Sequence, residues 1–514
     1  MCLKNTFVNR LDWRRGFLLM LLFLLIASFP KAQRTVLIRS VRIVDGTGAP
    51  AYIGSVRIKD SVLVAVGDLI PTASDSVIEG RGLVLAPGFI DTHSHHYGEL
   101  EEDPSSLPTN SQGITTIVTG QDGSGDFIDS IKAFIKRRPV SVNIATYTGH
   151  STLRELTMGT DLLRPATSKE IEKMAGMLMR EMSKGSLGLS TGLEYEEAFY
   201  SSRAEVLQLS KMAAARGGRY ISHIRSEDIT LDSAIEEVLT IGRVTHMPVQ
   251  ISHIKIGLKE KWGRATSILQ RLEKARREGI DVTADVYPYD FWNSTMRVLF
   301  PKRDYEDPVS AEFAVRQLFD PSRSVLVRYA PIPGYVGKTF SEVSVSRQQT
   351  ESKTLMELVA EASRFKMAHP DYPYSVEAIA AKAMWEEDVH QFVGWPQANI
   401  CSDGRSGGHP RGFGAFTKVL RVYVRERKQL SLEEAIHKMT LMGATHVGLK
   451  NRGSIRPGYY ADLVLFDPAT VSDHSDLSDP KAISTGIEMV WINGRLTYQV
   501  SKTTDQRPGV FIER

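Results

Sequence analysis

Apolar and polar positions follow two different rhythms along this chain. From residue 33 to about 87, short apolar stretches (Val36-Leu37-Ile38, Val41-Arg42-Ile43, Ser55-Val56-Arg57-Ile58, Leu83-Val84-Leu85) alternate with Gly and Asp, the texture of small antiparallel strands. The same texture returns in Ala461–Phe466 and in Met489–Ile492, the latter closing on an Asn493-Gly494 turn. Two β segments flanking a long middle predict one small β-sandwich domain built from both chain ends, residues 33–87 plus 444–514.

Between them, residues 88–443 alternate apolar β runs with amphipathic helical runs, the signature of βα units and a parallel sheet. Eight strands are expected, at 88–95, 115–120, 142–148, 187–192, 219–225, 249–255, 281–287 and 399–403. Helices fall between them at 126–138, 168–184, 201–216, 230–244 and 263–277. Thr167 and Glu170 have the spacing of a capping box at the start of the second of these. The fold class is therefore α/β, a (β/α)8 TIM barrel. The stretch 301–397 is much longer than a crossover helix needs and predicts an inserted lid or subdomain.

Composition (42% hydrophobic, 24% charged) is that of an ordinary globular protein. Lys4, Arg10, Arg14 and Arg15 precede an apolar run, Gly16–Ile26, that is short for a bilayer span and is followed by Pro30-Lys31-Ala32. Residues 1–32 read as a secretory signal cut after Ala32, with a retained anchor as the rival reading. Cleavage removes four net positive charges and turns the formal +3 of the whole chain into −1. A near-neutral mature chain offers no electrostatic case for nucleic acid or an acidic membrane. It would also keep a single cysteine, Cys401, and hence no intramolecular disulfide. A secreted, periplasmic protein is the expectation.

The candidate chemistry clusters at strand ends. Strand one finishes in His93-Ser94-His95, and period-2 geometry puts both imidazoles on one face at its carboxyl end. His223 lies near the end of strand five, His253 near the end of strand six, and Asp403 closes strand eight. Functional groups of such barrels gather at the C-terminal mouth, so four imidazoles and a carboxylate are expected to converge there. That donor set favours zinc. Taken singly, each histidine is a surface or core residue, and the argument lies in their accumulation. Gly120–Gly125 fits neither a phosphate loop nor a dinucleotide fingerprint. Cys401 shares the inward parity of Asp403, either as a ligand or as a small buried hydrophobe. Trp292 and Arg297 follow strand seven, where a side-chain pocket would lie.

Ala86-Pro87-Gly88-Phe89-Ile90-Asp91-Thr92-His93-Ser94-His95 resembles the strand-one motif of the amidohydrolase superfamily. Gly149–Arg154, Leu187–Tyr195, Ser222–Glu227, Gln250–Lys255, Asp281–Asp285 and Ser402-Asp403-Gly404 narrow the resemblance to its D-aminoacylase branch, the N-acyl-D-amino-acid deacylases. The likeness covers nearly all of the chain after the leader. It implies a zinc hydrolase in which His93 and His95 hold one metal position, His223 and His253 the other, and Asp403 is the general acid/base. It also implies that Tyr195, Lys255 and Arg411 clamp the substrate α-carboxylate. His150 either orients a ligand or a loop from behind or is purely structural. Where the branch commonly has Asn-Cys-Gly with a bridging thiolate, this chain reads Gln121-Asp122-Gly123, so Asp122 takes the bridging place with one ion or two.

The expected activity is hydrolysis of the amide bond of small N-acyl-D-amino acids. Its alternatives are another amidohydrolase activity, such as D-dipeptide or cyclic-amide hydrolysis, and a catalytically inert binding protein.

Overall fold

The computed structural model describes residues 35–372 and 375–514; the apolar leader lies outside them. Eight parallel strands run in order around a barrel: Phe89–Asp91, Ile114–Thr119, 143–149, Gly188–Gly192, Arg219–His223, Val249–Ile251, Val282–Val286 and Ala398–Ile400. The third is interrupted at Tyr147, so that its first half pairs with strand two and its second with strand four. The ring closes between strands eight and one: Asp403 N donates to His93 O (2.9 Å) and His95 N to Gly404 O (2.9 Å). Beneath this seam the buried Asp91 carboxylate accepts from Ser402 N (2.8 Å) and Ser402 Oγ (2.5 Å).

The strands are shorter than their apolar runs. Strand one ends at Asp91, strand six at Ile251 and strand eight at Ile400, so His93, His95, His253, Lys255 and Asp403 all lie past the last ladder residue. His253 (φ 35°) and Asp403 (φ 47°) are left-handed, and strand parity does not govern where their side chains point. Hydrogen bonds replace it: the Asp285 carboxylate of strand seven accepts from His253 N (2.5 Å), and Asp285 O from Ile254 N (2.9 Å).

The two chain ends pair in one nine-stranded sheet. Strand Leu463–Phe466 lies antiparallel to Val84–Pro87, which joins Thr35–Ile43. Alternation explains its near-continuous apolar runs. Val84, Ala86, Val464 and Phe466 pack into the barrel's core, whereas Leu85, Leu463 and Leu465 pack into a separate core with Val41 and Trp491. The hairpin Ile487–Ile492 to Arg495–Gln499 turns on Asn493 and Gly494, both at positive φ, as a two-residue turn matching strand twist requires.

Between strands seven and eight stands a body with its own core of Phe300, Phe319, Phe340, Leu355, Leu358 and Ile379. Its antiparallel sheet is formed by Phe291–Ser294, Val325–Tyr329 and Glu377–Lys382, covered by helices Pro308–Gln317 and Glu351–Ala368. This body starts at Phe291 rather than 301. The helix Glu386–Gly394 belongs to the barrel wall, where the Asp388 carboxylate accepts from Gly263 N (2.8 Å) and Ala265 N (3.1 Å) at the start of helix Ala265–Arg277. Among the described residues no helix is long and apolar enough to cross a membrane.

Candidate metal centre

Asp122 sits at the tip of the turn after strand two, with φ 55°. Glycines make that turn possible. A Cβ on Gly120 would lie 2.2 Å from Tyr147 O, and one on Gly123 would lie 2.7 Å from Ser151 Oγ, so only hydrogen fits where the turn presses onto strand three and its helix. Left-handed backbone at Asp122, His253 and Asp403 costs of order 1–3 kcal/mol each and persists only where the surroundings enforce it.

The turn delivers the Asp122 carboxylate between two pairs of imidazoles. Oδ1 lies 3.4 Å from His93 Nε2 and 3.4 Å from His253 Nε2; Oδ2 lies 3.2 Å from His95 Nε2. His223 Nδ1 is 3.1 Å from His253 Nε2. On the opposite side Asp403 Oδ1 lies 3.2 Å from His95 Nε2 and 3.6 Å from His93 Nε2, while its Oδ2 lies 2.7 Å from Arg411 Nη1. Three candidate donor groups result among the described residues: His93/His95/Asp122/Asp403 and Asp122/His223/His253, which share Asp122, and Glu194/His223/Glu227.

These residues fit a metal. Donor atoms 2.0–2.2 Å from a tetrahedral ion lie about 3.3–3.6 Å apart, close to the spacings found here. Both ring nitrogens of the fully buried His93, and Asp122 Oδ1, have no hydrogen-bond partner. Burial by itself would depress the His93 imidazole, yet Asp122 and Asp403 outweigh it and lift His93 well above its ordinary value, so the cluster calls for positive charge. For Asp403, burial raises the carboxyl, but Arg411 and the imidazoles outweigh it and hold the carboxylate form.

Behind the ligand candidates lie carboxylates that sequence reasoning did not assign. His223 Nε2 is 2.9 Å from Glu194 Oε2, and His253 Nδ1 is 3.0 Å from Glu227 Oε1. Both glutamates stand inside the motifs quoted above, one residue before Tyr195 and four after His223, but nothing in their spacing distinguishes them from solvated acids. Asp285, in strand seven, accepts from Gln250 Nε2 (2.7 Å) and from the Cys401 thiol (3.2 Å). Burial, then Asp285, pushes that thiol up, and Cys401 lies outside all three donor groups.

Lys255, Arg411 and Tyr195 do line the cavity of about 330 Å³ at this mouth. Each already has a partner: Lys255 Nζ lies 2.7 Å from both Glu227 Oε1 and His253 Nδ1, Arg411 meets Asp403, and the Tyr195 hydroxyl is 3.2 Å from His223 Nδ1. The Tyr287 ring stands between the two cations, 4.7 Å from the Arg411 guanidinium and 5.9 Å from Lys255 Nζ. Trp292 lines the same cavity, whereas Arg297 turns to Glu196. His150 is elsewhere, its Nε2 3.0 Å from Glu205 Oε1 in a buried network with Arg154.

Imidazole pairs brought from different sides of a barrel mouth to a common carboxylate define a class, the metal-dependent barrel hydrolases. Comparison with known proteins narrows it. Residues 381–498 match the amidohydrolase family model. An N-acyl-D-aspartate deacylase of Alcaligenes xylosoxydans xylosoxydans is 34% identical over 93% of this chain and 95% of its own. A crystal structure of D-aminoacylase superposes with a TM-score of 0.81 at 30% identity, covering 93% of this chain and 99% of that one. An N-acyl-D-glutamate deacylase of Bordetella bronchiseptica, solved with zinc and a phosphonate mimic of the tetrahedral intermediate, gives 0.82 at 29% identity with the same coverage. The chain belongs to the amidohydrolase family, on its D-aminoacylase branch.

Proposed function

We propose that this chain is a zinc-dependent hydrolase of N-acyl-D-amino acids, releasing a carboxylate and a free D-amino acid. The observation that bears most weight is the Asp122 carboxylate shared by His93, His95 and His253, with Asp403 facing it across the mouth. Relatives named for deacylation of D-aspartate and D-glutamate derivatives support the substrate class.

His93 and His95 would hold one metal position and His223 and His253 the other, with Asp122 between them. A bound ion at this place acidifies water and polarises an amide carbonyl. Asp403, kept ionised by Arg411, takes the proton of the attacking water and returns it to the leaving amine nitrogen. Tyr195 stays a neutral phenol, because burial and then the nearby carboxylates raise it well above its ordinary value, and its hydroxyl stands 3.2 Å from His223 Nδ1 at the edge of the cavity. Lys255 and Arg411 set the positive side of the cavity for the substrate carboxylate. A guanidinium offers that carboxylate a fork and an ammonium offers a point charge.

The test is amine release from matched N-acetyl-D- and N-acetyl-L-amino acids by protein reconstituted with zinc, manganese or cobalt. Selective release from D-forms is expected, highest with zinc. Turnover of D-dipeptides or cyclic amides instead would replace the substrate class, and ligand binding without any turnover would establish the inert alternative. Export follows from the leader pattern alone. Amino-terminal sequencing of protein from the periplasmic fraction should begin at Gln33, and an intact Met1 would refute cleavage.

A further inference from the structure

The loop after strand four carries a side chain for each ring nitrogen of His223, Glu194 at the outer Nε2 and Tyr195 at Nδ1. Its later carbonyls are fixed by the barrel. Arg154 Nε donates to Glu197 O (2.7 Å), and Arg225 Nη1 donates to Ser201 O (3.0 Å) and Phe199 O (3.3 Å). Both arginines are anchored in turn, Arg154 by Glu205 and Arg225 by Glu237.

The carbonyl of Glu194 is held differently. Its donor is Arg303, which comes from the inserted body. The same guanidinium donates to Phe300 O (2.6 Å) and lies 4.4 Å from the Phe199 ring centroid. Arg303 itself is left-handed (φ 60°), an unfavourable conformation for a bulky residue that a formed contact must maintain. Beside it, Glu196 accepts from the Tyr305 hydroxyl (2.6 Å) and from Arg297, whose other nitrogen donates to Ser363 Oγ (2.6 Å) on helix Glu351–Ala368. Three side chains of the insertion thus meet this loop at three places, the Glu194 carbonyl, the Glu196 carboxylate and the Phe199 ring.

We propose that the insertion is a positioning element for the metal centre: Arg303, braced by Arg297 and Tyr305 at Glu196, fixes the Glu194 backbone so that its carboxylate meets His223 Nε2. Fixing that carboxylate sets the ring orientation of His223 and the basicity of its other nitrogen, the role outer carboxylates play behind metal-bound imidazoles. The proposal rests on reading His223 as a metal-holding residue and is independent of which acyl-amino acid is cleaved.

The experiment uses the full chain, metal-loaded, as wild type, Arg303→Ala and Arg303→Lys. Its readout is the rate at which a chelator strips the metal, beside kcat, KM and the thermal midpoint. Arg303→Ala should lose metal about tenfold faster, with kcat restored by added metal and KM unchanged; Arg303→Lys, which keeps one donor, should fall between. A role as a cover over the cavity moves KM, and a purely structural role moves the thermal midpoint. Either change with unaltered metal release overturns the proposal. Should Arg303→Ala fail to fold, Tyr305→Phe and Glu196→Gln, which leave Arg303 in place, decide it, and wild-type metal release in both overturns it. Silence of the wild type on every N-acyl-D-amino acid would refute the substrate reading while leaving the metal readout intact.

Discussion

The two halves of the mouth share Asp122 yet are built to different standards. On the strand-five and strand-six side, the outer nitrogens of His223 and His253 lie 2.9 Å and 3.0 Å from Glu194 and Glu227. On the strand-one side, His93 Nδ1 is 3.8 Å from Asp285 without a hydrogen bond, and the His95 side chain is 35% exposed. A carboxylate behind an imidazole fixes its tautomer and raises its basicity, so the first half is preorganised for an ion and the second is looser. What the second half has instead is Asp403 with Arg411. In the proposed reading both sides hold an ion, and the strand-one side also carries the carboxylate that moves the proton.

The severest test removes what both halves share. Asp122→Ala should abolish metal binding in both positions and with it all turnover, read by metal analysis and amine release. Asp122→Cys should retain metal and shift preference towards softer ions. Retained stoichiometric metal in Asp122→Ala would break the comparison at its root. Next, Asp403→Asn should cut kcat about 10²–10⁴-fold while leaving metal content unchanged, because general acid/base help is of that size. Equal kcat in both forms would move the proton-transfer role elsewhere.

The asymmetry itself is sharpened by comparing carboxylates behind the imidazoles: Glu227→Gln should weaken metal affinity about 10–100-fold in a competition titration, and Asp285→Asn, whose carboxylate lies 3.8 Å from His93 Nδ1, should weaken it less. The reverse ranking would show that preorganisation lies on the strand-one side. The smallest effect on catalysis is expected from Glu377, in the insertion, where burial raises the carboxyl from 4.5 to about 7 although Met296 N donates to both oxygens. A raised folded-state pKa stabilises below the unfolded value and loses that contribution as pH rises through about 7. Wild type should therefore lose about 3 kcal/mol of stability between roughly pH 4.5 and 8, and Glu377→Gln should be flat by denaturant titration, with the metal asymmetry unchanged.

Much of this was legible in the chain. The order of eight strands followed from apolar runs alternating with amphipathic helices, and the Thr167/Glu170 capping box appears as read, at the start of helix Ser168–Lys184. The histidines and Asp403 were placed at the mouth because each follows a strand. The route to that placement differed, however. The parity argument covers residues 93–95 and 401–403, where the ladder has already ended, and convergence there depends on the closing bonds His95 N to Gly404 O and Asp403 N to His93 O. Glu194 and Glu227 stayed hidden because a glutamate's meaning depends on what it faces, and their partners are supplied by neighbouring strands 29 and 26 residues away in sequence.

By itself the sequence determined the periodicities, the turn chemistry and the inventory of donors, since these depend on neighbours within a few positions. Only the tertiary structure decided that Asp122 is common to two donor groups, that Lys255 and Arg411 are already paired with carboxylates, and that an insertion 109 residues beyond Glu194 grips its carbonyl. The physical reason is that charge pairing and metal-donor spacing are distances through space. They are set when the barrel closes and brings the ends of its strands into register.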